Sequence, residues 1–303
     1  MSNDWGLTTT FSPYKELISY EYLWSKHGST LKTFAENLTT QNLLPSQYIK
    51  NNIIFGEEDK IEAELQKIED EIKHRLTSFS IMFKENFQFP KRLLKAKNPI
   101  DMFYYRGNLD LLETPCISIV GSRKMTPEGR SRAHKLAKQL SEKYTIVSGL
   151  AAGIDTEALQ TTIFYKRNVI AVIGTPIDHY YPPENKNLQD CIAKNNLLIS
   201  QVPLYKFDHQ SFNSKRSYFP ERNITMASLS DATVIVEASD TSGSHFQAKE
   251  CFNQGKKLFI LNSCFENSSI TWPKKYLEKG AYRINCVKEI FEIMENHYYG
   301  YKM

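Results

Sequence analysis

No uninterrupted apolar stretch in this chain of 303 residues approaches the length needed to span a bilayer, which excludes a membrane-embedded helix bundle. The N-terminus, MSNDWGLTTT, has no basic segment leading into an apolar one, so no secretory leader is expected. Cysteine is scarce: Cys116, Cys191, Cys251, Cys264 and Cys286 are odd in number, widely spaced and without a C-x-x-C pair. That spacing argues against a disulfide framework or a zinc site and fits a reducing cytoplasm. Neither the dinucleotide fingerprint G-x-G-x-x-G nor the phosphate-loop pattern G-x-x-x-x-G-K-[ST] occurs, so no nucleotide cofactor is encoded in its usual form. Also lacking are a G-x-S-x-G elbow, an H-E-x-x-H helix and any histidine in metal-ligand spacing. No catalytic residue, metal or cofactor is therefore assigned.

An excess of one charge is lacking as well, since 38 basic residues against 34 acidic ones leave only +4. Any polyanion must be met by local charge.

What is present is 41% hydrophobic and 24% charged residues, ordinary for a soluble domain with a sizeable core. Residues 1 to about 88 have helical apolar spacing in YKELISYEYLWSKHGSTLKTFAENL and DKIEAELQKIEDEIKHRLTSF, joined by a connector around NLLPSQYIKNN. This predicts a small N-terminal helical domain followed by a second domain over 89–303. From about residue 114 short β-rich runs alternate with helical segments: 116–120, 145–149, 169–174, 197–202, 232–238 and 257–261. Their near-continuous hydrophobicity predicts strands buried on both faces, hence an α/β fold with a doubly wound, mostly parallel, Rossmann-like sheet. The final segment, KGAYRINCVKEIFEIMENH, adds one short strand and a closing helix.

Ligands of such sheets bind beyond the carboxyl ends of the strands. Four of these junctions are rich in small residues: Gly121-Ser122-Arg123, Ser148-Gly149 through Gly153-Ile154-Asp155, Gly174-Thr175, and Ser242-Gly243-Ser244. Glycine lets backbone amides approach an anion, and a following helix N-terminus favours negative charge. Together with Arg123 and the adjacent Lys124 they predict a phosphate-binding edge. The aperiodic stretch from 203 adds Lys206, Lys215, Arg216 and Arg222, against Asp208 and Glu221, interleaved with Tyr205, Phe207, Phe212, Tyr218 and Phe219. Cations beside aromatic faces suit single-stranded nucleic acid. Arg222 and Asn223, after Pro220 at an expected helix start, have the chemistry to pair with phosphate. Asp155 is expected to cap a helix, His179 and His245 to lie near the edge, and Glu237 is the carboxylate best placed for any chemistry.

In order and spacing these segments resemble the DNA-processing protein A (DprA/Smf) family. The likeness covers about 89–292, from FPKRL and FYYRGNLDLLETPCISIVGSRKMTPEG through IVSGLAAGIDTEAL, VIAVIGTPIDHYYPPEN, LLISQVP and FPERNITMASLSDATVIVEASDTSGS to KGAYRI. The resemblance implies a non-enzymatic protein that binds single-stranded DNA, as a homodimer, and hands it to a RecA-type recombinase during DNA uptake. Ser122 and Arg123 match the family's GSR turn. Ser148, Gly149, Gly153 and Asp155 match its SG-x-A-x-GID segment, Arg222 and Asn223 its FP-x-RN element, and Ser242, Gly243 and Ser244 its SGS turn. This sequence departs at Leu159, Ile224, Gln247 and Asn262-Ser263, and no winged-helix segment is expected after residue 303. The alternative is a related Rossmann-like protein that senses or hydrolyses a nucleotide through Glu237 or Asp155; a role in defence against foreign DNA would use the same groove. The hydrolase branch's PGG-x-GT-x-x-E motif is absent.

Overall fold

A computed structural model describes residues 11–96 and 99–299. Nine strands form one sheet: β1 (Ser80–Phe83), β2 (Met102–Gly107), β3 (Cys116–Val120), β4 (Thr145–Ser148), β5 (Val169–Ile173), β6 (Leu197–Ser200), β7 (Ala232–Ile235), β8 (Lys257–Leu261) and β9 (Tyr282–Ile284). Their spatial order is β1-β2-β6-β5-β4-β3-β7-β8-β9. The seven strands from β6 to β9 in that order run parallel, while β1 and β2 extend the sheet antiparallel.

The parallel strands form because their side chains are apolar on both faces. Every residue of β3 and β5 is buried, and Ile117, Ile119, Val169, Ile170 and Val172 are wholly inaccessible. Helices Pro127–Leu140 and Ile154–Phe164 cover β3 and β4. Thr126 caps the first of these by accepting from Gly129 N at 2.9 Å. From β3 the chain winds outward through β4, β5 and β6, then returns to β7 on the other side of β3. That reversal puts the switch point at the carboxyl ends of β3 and β7, on the edge where such sheets take their ligands.

The structure differs from the expectation in three places. The stretch up to about residue 88, read as helical, contributes β1, whose register pairs Ile81 with Tyr104 and Phe83 with Met102. The connector around 42–52 contains the helix Pro45–Asn52. The aperiodic stretch from 203 is a chain of short helices, Leu204–His209 and Phe212–Lys215, leading into Tyr218–Leu229. Each is too short to show a full apolar period.

The N-terminal helices share a core with the sheet. Leu17, Tyr20 and Trp24 of helix Pro13–Ser25 belong to the same buried cluster as Phe83, Phe103 and Tyr104. Glu21 is buried among them. Burial raises its pKa, opposed by donors from Tyr104 Oη, Leu204 N and Tyr205 N. No helix among the described residues is long and apolar enough to cross a membrane.

Candidate nucleic-acid interface

The turn after β3 is set by close backbone packing. Ser122 N donates to the Glu237 carbonyl at 2.7 Å, and the Ser122 carbonyl accepts from Ile154 N at 3.1 Å. A Cβ on Gly121 would stand 2.6 Å from Ile154 Cγ1. Gly153, with φ +82°, lies so near the turn that a Cβ there would stand 2.2 Å from the Ser122 carbonyl oxygen. The turns after β3 and β4 are thus clamped together, and Arg123 and Lys124 are left exposed.

Arg123 does not stand alone. Its guanidinium carbon lies 5.5 Å from the centroid of Phe219, at the start of helix Tyr218–Leu229. Tyr181, from the loop after β5, tilts against the same ring at 5.4 Å and is 41% exposed. Gly174 passes behind Phe219, where a Cβ would stand 2.7 Å from ring atom Cδ1. One aromatic face with a guanidinium beside it therefore lies on the carboxyl edge, between the turns after β3 and β5. In the sequence Phe219 is one of several aromatics in the stretch from 203, and Tyr181 does not stand out. Its position before Pro182 at the end of a strand-derived loop was the available signal.

The expected contact residues separate into two layers. Ser122, Arg123, Lys124, Lys215, Arg216, Ser242 and Gly243 lie at or near the surface. Lys215 Nζ sits 4.6 Å from the Phe207 ring, and Arg216 is exposed. A Cβ at Gly243 would meet nothing within 4 Å, leaving that backbone open to approach. Ser242 Oγ accepts from Ser244 N at 3.2 Å, which shapes the turn into helix Ser244–Asn253.

Ser148, Gly149, Arg222, Asn223 and Ser244 are buried. Ser148 Oγ donates to the Ile119 carbonyl at 2.7 Å. Arg222 corrects the expectation most clearly, because its guanidinium points inward. Nη1 donates to the carbonyls of Gly149 and Val172, the latter at 2.7 Å, and Nε to Asn223 Oδ1 at 3.1 Å. A Cβ on Gly149 would stand 2.0 Å from Nη1. Burial draws the Arg222 pKa down to about 10, with Asp155 opposing that shift, so the group stays charged at neutral pH. Asp155 answers it from the first turn of helix Ile154–Phe164: its Oδ2 accepts from Gly149 N at 3.1 Å, and burial raises its pKa against the pull of Arg222. These residues tie β4, β5 and helix Tyr218–Leu229 into the floor beneath the exposed cations.

The carboxylates considered for chemistry are occupied. Glu237 accepts from Thr126 N at 3.0 Å and Thr126 Oγ1 at 2.6 Å, and lies 3.4 Å from Arg132 Nη2. It thereby anchors the start of helix Pro127–Leu140. His245 Nε2 lies 2.8 Å from the Ser239 carbonyl, and its ring packs against Trp272 and Tyr276. His179 faces Phe207 at 5.5 Å, and burial lowers its pKa. Among the described residues no group of three or more His, Cys, Asp or Glu side chains is arranged to hold a metal.

Three of the departures noted in the sequence lie below the edge. Leu159 is buried in the core, Ile224 packs against it, and Gln247 Nε2 donates to Thr233 Oγ1 at 3.1 Å.

Fold and edge together define a Rossmann-like α/β protein with exposed cations and an aromatic face at the carboxyl edge of its sheet. The chain belongs to the DNA recombination-mediator protein A family, whose model matches residues 80–295. It is 34% identical over 187 residues to the DNA processing protein DprA of Streptococcus pneumoniae, covering 62% of this chain and 63% of that protein. The Bacillus subtilis DprA is 31% identical over 207 residues, 68% of each chain. The chain thus spans somewhat under two thirds of the length of the pneumococcal relative. A solved structure of S. pneumoniae DprA superposes with a TM-score of 0.72 at 24% identity, covering 91% of this chain and 97% of that one. The fold extends through the N-terminal helices. DNA processing protein A from Helicobacter pylori, described by its single-stranded DNA binding mode, superposes with a TM-score of 0.61 at 28% identity over 73% of this chain and 98% of that one.

Proposed function

We propose that this protein binds single-stranded DNA along the carboxyl edge of its sheet and performs no chemistry on it. The observation that carries the reading is the exposed Arg123 guanidinium set over the Phe219 face, with Lys124 next to it, at the end of the central strand. A phosphate meets the cations and an unpaired base meets the ring, which a duplex cannot offer because its bases are already stacked. The H. pylori relative, described as binding single-stranded DNA, supports the same ligand class.

In this reading Ser122, Arg123, Lys124, Lys215, Arg216, Ser242 and Gly243 meet the strand. Gly121, Ser148, Gly149, Gly153, Arg222, Asn223 and Ser244 shape and brace the turns that present them. The absence of catalysis rests on Glu237 and Asp155, whose oxygens already serve the fold. Family membership supports a recombination-mediator role; the same proposal has the protein act in the cytoplasm as a homodimer and pass the strand to a RecA-type recombinase. In the same proposal the helices that precede β1 act as an accessory unit packed on the sheet.

Competition between labelled single-stranded DNA and unlabelled single strands, duplex or mononucleotides tests the ligand class. Displacement by single strands at far lower concentration than by the other two is expected. Equal displacement by duplex, or release of base from a mononucleotide, would overturn it.

A further inference from the structure

The part of the chain that carries Lys215, Arg216 and Phe219 is held by the N-terminal helices. Helix Leu204–His209 receives the Glu21 carboxylate at Leu204 N (2.8 Å) and Tyr205 N (3.0 Å). Lys206 Nζ donates to the Ser29 carbonyl at 2.7 Å, and His209 Nε2 lies 3.2 Å from Glu71. The loop after β5, which carries Tyr181, is a separate segment. Beside the ring contacts of His179 with Phe207 and Tyr181 with Phe219, one cation bonds to both segments. Arg75, just past helix Glu58–Ile72, donates from Nε and Nη2 to the two oxygens of Asp178, each at 2.7 Å, and from Nη1 to Asp208 at 2.6 Å. Its side chain is 14% exposed.

Guanidinium is the only side-chain cation whose planar fork can satisfy one carboxylate bidentately and hold a second at a fixed angle. Both carboxylates stand close to the proposed DNA edge. Three residues beyond Asp178, Tyr181 lies against Phe219, the ring beneath Arg123. Next to Asp208, Phe207 packs on Tyr218 at 5.9 Å and under Lys215 Nζ at 4.6 Å. All three guanidinium nitrogens of Arg75 are engaged inside the protein, so its influence on a ligand is indirect.

We propose that Arg75 is a positioning residue for single-stranded DNA, fastening the Asp178 and Asp208 segments so that the Tyr181–Phe219 face is fixed relative to Arg123. The inference rests on the proposed function above and assigns the N-terminal helices a part in it.

The test uses the full chain with Arg75→Gln and the charge-preserving Arg75→Lys, whose single ammonium cannot hold both carboxylates in the same geometry. Affinity for a fluorescent oligothymidine is measured across salt, and stacking is read from quenching of 2-aminopurine placed in the oligonucleotide. Arg75→Gln is expected to lose roughly tenfold in affinity, the size of one stacked base. Quenching should fall while the slope of log K against log salt stays that of the wild type, because no phosphate contact is removed. Arg75→Lys should fall between the two. Wild-type affinity and quenching in the variants overturn the inference, and so does a reduced salt slope, which would make Arg75 a direct phosphate contact. If Arg75→Gln does not fold, unchanged quenching in Arg75→Lys overturns it alone. A wild type that binds no single strand sinks the proposed function instead.

Discussion

The Arg123 guanidinium carbon lies 5.5 Å from the centroid of the Phe219 ring, which joins the turn after the central strand to a helix almost a hundred residues further along the chain. This pairing separates charge from stacking in a measurable way. Arg123→Ala should weaken single-strand binding and reduce the magnitude of the salt slope by about 0.7, the value of one phosphate contact on a single strand. Phe219→Ala should cost ~1–3 kcal/mol with little change of slope. Oligonucleotide titrations at several salt concentrations distinguish the two, with thermal unfolding as a control because Phe219 also packs on Gly174.

Arg222 should behave as a brace. Arg222→Ala removes the donor to the Gly149 and Val172 carbonyls and leaves the buried Asp155 without its counter-charge, a change expected to cost about 3–5 kcal/mol of stability. Arg222→Ala combined with Asp155→Asn should be less destabilised than the sum of the single changes. Chemical denaturation of the four proteins measures this. Additive losses would contradict the coupling.

Gly153→Ala tests the clamp between the two turns. A residue with φ +82° and a Cβ 2.2 Å from the Ser122 carbonyl oxygen must move backbone, so a loss of at least ~1–3 kcal/mol is expected, together with weaker DNA binding through a displaced Arg123. Gly243→Ala, with open space around its Cβ, should melt like the wild type.

Glu221 gives a pH prediction. Burial pushes its pKa from 4.5 to about 7, only partly opposed by Lys206. The native state therefore holds this proton where the unfolded chain releases it, so its contribution is fully present below pH 4.5 and is lost as pH rises to about 7. Glu221→Gln should flatten the fall of melting temperature over that interval. An unchanged pH profile would place the titration elsewhere.

The parallel strands were legible because CISIV and KLFIL are each apolar at all but one position, a pattern forced by burial on both faces. The edge strand β1 was not. Its four residues run from exposed Ser80 to buried Met82 and Phe83, too brief to distinguish from the end of the preceding helices. The small residues of the turns were likewise readable, since only glycine tolerates the contacts at 121, 149 and 153. Side-chain direction was not. Arg123 and Arg222 are the same residue type in equally suggestive surroundings, yet one projects outward and the other is 6% exposed with its donors spent on carbonyls. Nothing in local sequence records that difference, because it depends on Gly149 and Val172 being brought to residue 222 by the sheet. The Arg75 link to Asp178 and Asp208 was hidden for the same reason, its partners lying 103 and 133 residues away.

The most direct test of the central claim is a fluorescence titration of single-stranded and duplex oligonucleotides of equal length, across salt, with the wild type and an Arg123→Ala, Lys124→Ala double variant. The account predicts tighter binding of the single strand by the wild type, and a salt slope smaller by about 1.4 in the variant, two contacts at about 0.7 each. Equal affinity for both ligands, or identical slopes for the two proteins, would contradict it.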